Sequence, residues 1–186
     1  MTKVANILKP IATAFVLAVM YSMPLSAQTA ELDQLFQDLS QADDQSWQRI
    51  ERDIWSEWSK SGSPAMDLLL SRGRQAMEQG DWESAVDHLT ALIDHAPDFA
   101  EGWNARATAY FQGGLYGPSI DDIRHTLALN PRHFGALAGL GLILEQLGYP
   151  EDALTAYRQV LAIHPFRPNL KETIERLEQK VGGTDI

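Results

Sequence analysis

Residues 80–85 (GDWESA), 114–119 (GLYGPS) and 148–153 (GYPEDA) each begin with glycine and carry a small residue at their sixth position. A proline follows each stretch, and successive prolines are 34 residues apart: Pro97, Pro131 and Pro165. A fixed period of this length is typical of stacked helical repeats. Counting back from the prolines predicts three units, 66–99, 100–133 and 134–167.

Residue size also recurs within these units. Positions eight and twenty are small, which lets two helices approach closely: Gly73 and Ala85, Ala107 and Ser119, Gly141 and Ala153. Positions four, eleven and twenty-four fill the space around that contact: Leu69, Ala76 and Leu89; Trp103, Tyr110 and Ile123; Leu137, Leu144 and Tyr157. The proline closing each unit cannot continue a helix, so it marks the turn to the next unit.

This combination of period and residue types resembles the tetratricopeptide repeat (TPR), whose 34-residue unit is a helix–turn–helix. The resemblance covers 66–167 and the helix that follows. It implies an all-α fold: a short right-handed solenoid of three units, with an N-terminal helix pair and a C-terminal capping helix. The chain is similar to small TPR proteins of Gram-negative bacteria that carry a signal peptide.

Residues 28–63 form a predicted N-terminal helical segment with two apolar stripes at helical spacing. Three tryptophans stand in its second half: Trp47, Trp55 and Trp58. Exposed aromatic side chains are natural binding anchors, so they could form a docking face. The favoured interpretation is that they cover the open end of the solenoid beside the first unit.

A final helix is predicted for residues 168–183. Asn169 stands three residues before Glu172, an arrangement that predicts a capping box at its start. Its apolar face is formed by Leu170, Ile174, Leu177 and Val181. Because terminal repeats need a polar-backed cap, this helix is expected to close the solenoid.

Residues 1–27 have the pattern of a signal peptide. Lys3 and Lys9 precede an apolar run from Ile11 to Tyr21, and small residues end the segment at Ala27. Cleavage after Ala27 is therefore expected, which predicts a periplasmic or secreted protein without membrane insertion. If the segment is not cleaved, it would anchor the chain in the inner membrane.

The composition limits the function classes. The formal net charge is −10, so nucleic acid is not an expected partner. The chain has no cysteine, which excludes disulfides and thiolate chemistry. No phosphate-binding loop, nucleophile elbow or zinc-binding motif occurs, so neither an enzyme nor a cofactor is expected.

Three histidines lie near the ends of successive units and could line one edge of the solenoid: His95, His133 and His164. The histidines lack the i, i+4 spacing that presents two metal ligands on one helical face. Turn or solvated residues are the favoured interpretation, and no metal site is expected.

The repeat resemblance implies a concave groove lined by the first helix of each unit. The positions that would bind a peptide are Leu70, Arg74, Met77, Asn104, Thr108, Phe111, Ala138, Leu142 and Glu145. Some TPR domains hold a C-terminal carboxylate with a Lys/Asn clamp. The corresponding positions here carry Leu70, Arg74, Ala105, Gly135 and Gly139, so that clamp is not expected.

Arginine at position seven recurs with aspartate at position twenty-two in the first two units. This predicts one ion pair between Arg72 and Asp87 and another between Arg106 and Asp121, because charges at a helix contact need partners.

The sequence as a whole predicts a periplasmic protein–protein interaction module, an adaptor or client-holding scaffold that could serve envelope assembly. A self-associating structural protein using the tryptophan-bearing helices is the alternative, which leaves a homo-oligomer open. A metal-binding or enzymatic protein is a third and weaker hypothesis.

Overall fold

The computed structural model describes residues 25–183, and over that range the chain forms nine α-helices and no strand. In chain order they are α1 Leu25–Ser40, α2 Trp47–Trp58, α3 Pro64–Glu78, α4 Trp82–His95, α5 Ala100–Gln112, α6 Tyr116–Leu129, α7 Phe134–Gln146, α8 Pro150–Ile163 and α9 Leu170–Gly182. None of these described helices is long and apolar enough to cross a bilayer. Apart from its last three residues, the predicted signal peptide 1–27 lies outside the described range.

Three helix hairpins form the solenoid: α3 with α4, α5 with α6, and α7 with α8. Each hairpin turn contains a glycine with left-handed φ: +74° at Gly80, +76° at Gly114 and +83° at Gly148. Glycine adopts this conformation without the steric cost that a Cβ atom brings. These glycines end one helix and let the next one start antiparallel to it, so the predicted fold class is confirmed.

The small residues at position eight do permit a close helix contact. A Cβ atom added at Gly73 would lie 2.5 Å from Leu89 Cγ, and one added at Gly141 would lie 2.6 Å from Tyr157 Cε1. Leu89 and Tyr157 are the large residues at position twenty-four of the same units. The predicted pairing of small and large positions is therefore confirmed in the first and third hairpins.

The N-terminal pair α1–α2 does not cover the open end of the first hairpin. It packs against the third hairpin, where Phe36 and Trp58 contact Phe134 at ring-centroid distances of 6.5 and 4.9 Å. These residues belong to a core cluster that continues to Leu177 of α9. The expected location was wrong because the spacing of apolar residues does not reveal the direction in which the linker 59–63 turns the chain.

The C-terminal helix covers the third hairpin with the predicted face, since Leu170, Ile174 and Leu177 are all buried. The predicted capping box is absent. Asn169 has a left-handed backbone (φ 57°) and its side chain makes no capping hydrogen bond. An Asn in this conformation turns the chain into the helix through its backbone rather than through its side chain.

The predicted arginine–aspartate pairs were wrong in their partners. Arg72 and Asp87 are both exposed. Arg106 instead binds Asp122 through two hydrogen bonds of 2.8 and 2.9 Å, while Asp121 points outward to Arg124. On α6, Asp122 lies on the inner face and Asp121 does not, so the next position along the helix supplies the partner.

Candidate peptide-binding groove

The first helices of the first two hairpins, α3 and α5, meet α2 around a cleft of about 600 Å³. Four of the predicted groove residues line it: Arg74, Met77, Asn104 and Thr108. Arg52 and Trp55 of α2 form the opposite wall. The first helices of the first two hairpins therefore meet at a cleft, and part of its lining comes from the N-terminal pair.

A second, smaller cleft of about 120 Å³ lies between α5 and α7. Phe111 lines it beside Gly139, and Thr108 lines both clefts. The two clefts thus follow one another along the first helices of the three hairpins.

The remaining predicted groove residues do not line these two clefts. Leu70 is only 2% exposed and belongs to the core of the first two hairpins, so its side chain is not available to a ligand here. Ala138 packs against the cluster that contains Phe134. Glu145 binds Arg176 of α9 at 2.7 Å, and Leu142 is exposed on α7.

Two of the three tryptophans of α2, Trp55 and Trp58, sit on the start of α7, at three consecutive residues that we call the aromatic socket: His133, Phe134 and Gly135. The Trp58 ring stacks on His133 with a centroid distance of 4.1 Å and an interplanar angle of 15°. Trp55 lies against Gly135, where an added Cβ atom would be 2.5 Å from the ring. Trp58 is thus buried, while Trp55 is partly buried and also lines the first cleft.

A buried polar network lies at the floor of the first cleft, centred on Glu101, which is 3% exposed. Its carboxylate accepts hydrogen bonds from Arg74 at 2.6 Å and from Asn104 at 3.1 Å. Arg74 also donates to Ser59 Oγ at 3.0 Å, just after α2. The predicted groove cation is therefore engaged by the chain itself.

His133 completes this network. Its Nδ1 accepts the Ala136 backbone N–H at 3.1 Å, so Nε2 carries the ring hydrogen and donates to Glu101 at 2.9 Å. The histidine thereby serves as the N-cap of α7. Glu101 was missed in the sequence because nothing in the repeat pattern marks its position as buried.

His164 occupies a similar place at the end of the third hairpin. It is fully buried, against Trp47 at 5.6 Å and Phe134 at 5.1 Å. Three histidines were predicted to line one edge of the solenoid. This holds for His133 and His164, which face the N-terminal pair, while His95 is exposed. The expectation of turn or solvated residues holds for the position of His133 and His164, which lie between helices, but both are buried rather than solvated. Within residues 25–183 no group of three or more His, Asp or Glu side chains could hold a metal ion.

An ion pair fastens α2 beside His164. Arg167 donates to Glu51 at 2.7 Å, and His164 Nε2 lies 3.7 Å from the same carboxylate, beyond hydrogen-bond distance. The neighbouring His164 ring and the Arg167 guanidinium hold the pKa of Glu51 below its ordinary value.

Acid should therefore weaken the attachment of α2. Because the folded-state pKa of Glu51 is lowered, its ionised form stabilises the fold above the unfolded-state pKa of about 4.3, and this contribution is lost as pH falls through the lower folded value. We expect the urea midpoint of the wild-type protein to fall more steeply in acid than that of Glu51→Gln. If the urea midpoints of the two proteins fall in parallel throughout that pH range, Glu51 makes no such contribution.

Comparisons with known proteins agree with this architecture. A family model for the tetratricopeptide repeat matches residues 70–122 and 119–168. A TPR repeat-containing protein of Rhizobium etli is 38% identical over 159 residues, which cover 85% of this chain and 78% of that protein. The small glutamine-rich tetratricopeptide repeat-containing protein 2 of Saccharomyces cerevisiae is 29% identical over 116 residues, which cover 62% of this chain but only 33% of the relative.

Solved TPR structures share the fold. The first TPR of Spaghetti (RPAP3) bound to an HSP90 peptide superimposes with a TM-score of 0.61 at 24% identity, covering 64% of this chain and 95% of that one. The Sgt2 TPR domain from Aspergillus fumigatus gives a TM-score of 0.61 at 23% identity, covering 66% and 83%. The fold and the repeats define a helical-repeat protein. The chain belongs to the tetratricopeptide repeat family.

Proposed function

We propose that this protein is an exported scaffold of the periplasm that binds a polypeptide partner in its concave groove, without catalysing a reaction, and that it could serve envelope assembly. The single observation that carries the proposal is the first cleft. Arg74 and Met77 of one hairpin converge there with Asn104 and Thr108 of the next. Convergence of successive first helices on one concave surface is how repeat proteins form extended binding faces.

The chemistry of this cleft favours a polypeptide segment. Trp55 and Met77 supply apolar surface and Arg52 is an exposed cation, while Glu101 balances the charge of Arg74. An apolar side chain next to an acidic group fits such a lining. By analogy, the RPAP3 repeat domain was solved with an HSP90 peptide bound, which supports a peptide as the kind of ligand.

Thr108→Asp should reduce capture of the partner by at least about tenfold, because Thr108 is exposed, lines both clefts and would place a negative charge before an acidic ligand. Capture is measured by crosslinking in cells, followed by quantitative mass spectrometry of the attached proteins.

Thr155→Asp is the matched control. Both threonines are exposed helical residues whose hydroxyls donate to the carbonyl four residues earlier, at 3.0 Å, but Thr155 lies on α8, outside both clefts. Equal capture by the two variants would exclude the groove as the binding surface.

Export is proposed from residues 1–27 and is tested separately. Mass spectrometry of the protein from a periplasmic fraction should find an N-terminus at Gln28. A protein that retains Met1 in the membrane fraction would replace this proposal with an anchored form.

A further inference from the structure

We propose that α2 is a resident ligand of the aromatic socket: the socket accepts an amphipathic helix with aromatic side chains one turn apart, and a partner helix of that chemistry replaces α2. This inference rests on the proposed function, because it names a chemical class for the polypeptide partner.

Helix α2 has the features of a groove-binding peptide. Ile50, Ile54 and Trp58 form a buried face, while Arg52 and Asp53 on the other side are exposed. Trp55 and Trp58 are three residues apart, so they share one side of the helix, and their rings contact at 5.1 Å. An apolar helical face with anchors at this spacing is the helix-in-groove mode of recognition.

The solenoid presents a surface shaped for these rings. Gly135 leaves room for Trp55, since any Cβ atom there would lie 2.5 Å from the ring. Phe134 touches both tryptophans, at 5.6 and 4.9 Å, and His133 stacks on Trp58. The aromatic socket therefore contacts both tryptophan rings. No residue of the linker 59–63 takes part in these ring contacts.

The contact carries unmet hydrogen-bonding groups. Among the described residues, the buried side-chain nitrogen and oxygen atoms without a hydrogen-bond partner are Trp58 Nε1, His164 Nδ1 and His164 Nε2. All three lie where the N-terminal pair meets the third hairpin. Each buried polar group left unpaired costs about 1–3 kcal/mol. The attachment of α1–α2 is thus weaker than its aromatic contacts alone would make it.

The rim of this contact adds little to its strength. Asp33 binds Arg132 in an exposed ion pair, and Glu51 binds Arg167 in a partly exposed one. Ion pairs of this kind contribute about 0–1 kcal/mol each. The first cleft also separates α2 from α3 and α5, so within the solenoid the helix packs on the third hairpin, while its other packing is against α1, where Trp58 lies 6.0 Å from Phe36.

The linker 59–63 permits release of the pair. Gly62 has φ +82° and no atom within 4 Å of the place where a Cβ atom would stand. The link to the first hairpin is held by hydrogen bonds of Ser61 with Asp67 and of Ser59 with Arg74. A small number of backbone rotations in this linker would be enough to move α1–α2 away while the hairpins stay folded.

Native-state hydrogen exchange on the wild-type protein tests the release. We expect the amides of residues 47–58 to exchange through an opening with a lower free energy and a weaker urea dependence than those of α5 and α7. If residues 47–58 exchange only with global unfolding, α2 is a fixed part of the fold and the proposal is overturned.

Two alanine variants on one helix sharpen this experiment. Gly135→Ala should increase the opening of α2 by at least about tenfold, because its Cβ atom pushes against Trp55. Gly139→Ala is the control, since its Cβ atom would meet only Ile123 at an ordinary 3.7 Å. Equal exchange of α2 in both variants would contradict the role of the socket.

A labelled peptide of residues 45–61, added in trans, tests the ligand class. It should bind the full-length Trp55→Ala, Trp58→Ala variant at least about tenfold more tightly than the wild-type protein, whose own α2 competes. Trp103→Ala, whose ring stacks on His125 instead, should behave as wild type. A peptide with both tryptophans replaced by alanine should not bind; equal binding of the two peptides overturns the proposal.

The outcomes separate this inference from the proposed function. A protein that captures its partner through Thr108 but shows no separate opening of α2 contradicts the inference alone. A protein that opens α2 and binds the peptide, yet captures no polypeptide in cells, contradicts the proposed function alone. If the double tryptophan variant does not fold, the exchange experiment on the wild-type protein decides.

Discussion

Asp122→Ala should lower the free energy of unfolding by about 3 kcal/mol, because it leaves a largely buried arginine without its carboxylate partner. Asp122 is 4% exposed and holds Arg106 through two hydrogen bonds. The aspartate raises the pKa of Arg106 further above its ordinary value, but an arginine is charged at neutral pH even without this effect. After the substitution the guanidinium is therefore charged and without its carboxylate partner. Urea unfolding followed by circular dichroism measures the loss.

The neighbouring Asp121→Ala is the matched control, and it should change stability by less than about 0.5 kcal/mol. Asp121 and its partner Arg124 are both largely exposed, and such pairs contribute little. Replacing the buried pair together, with Arg106→Met and Asp122→Leu, should recover much of the stability. If the two alanine variants lose the same free energy of unfolding, the buried Arg106–Asp122 pair contributes no more than the exposed pair.

Phe134→Ala should lower the free energy of unfolding by about 4 kcal/mol and loosen α1–α2. Phe134 is fully buried and contacts four aromatic side chains, which are Phe36, Trp55, Trp58 and His164. The remaining hole cannot collapse easily, because rigid rings surround it. The expected signature is a lower urea midpoint together with faster hydrogen exchange in residues 47–58.

Phe111→Ala serves as the comparison for that loss. Phe111 is only partly buried, with Tyr116 as its aromatic neighbour at 5.8 Å, so its truncation should cost about half as much or less. Phe134→Leu keeps most of the volume and should restore part of the stability. A loss at Phe134 no larger than at Phe111 would mean that the aromatic socket does not fasten the N-terminal pair.

The hairpins could be predicted from the sequence because their determinants are local and repeated. The first helix of each hairpin ends just before a glycine: Gly80, Gly114 and Gly148. The small residues Gly73 and Gly141 each contact a large residue 16 positions further along the chain. Helical periodicity also predicted the buried face of α9. Each of these features depends on neighbours within one unit.

The site was harder to predict because it depends on contacts between distant parts of the chain. Trp55 and Trp58 of α2 gave a strong signal of burial or binding, but the sequence does not show that the chain brings them to His133–Gly135. The repeat pattern assigned Leu70 to the groove, whereas the structure buries it. Asp121 and Asp122 differ by one position, about 100° around a helix, and periodicity alone did not decide between them.

The return of α1–α2 to the third hairpin changes how the repeats share their stability. In an ordinary solenoid each unit touches only its neighbours, so the ends fray independently. Here two ion pairs join residues far apart in the chain: Asp33 and Arg132 are 99 positions apart, and Glu51 and Arg167 are 116 apart. The N-terminal pair, which precedes the first hairpin, is thereby in contact with the third. The protein is topologically closer to a ring than to a rod. Contacts at such separations slow folding and make it more cooperative, and detaching α2 would turn one cooperative unit into a row of hairpins that can melt one after another.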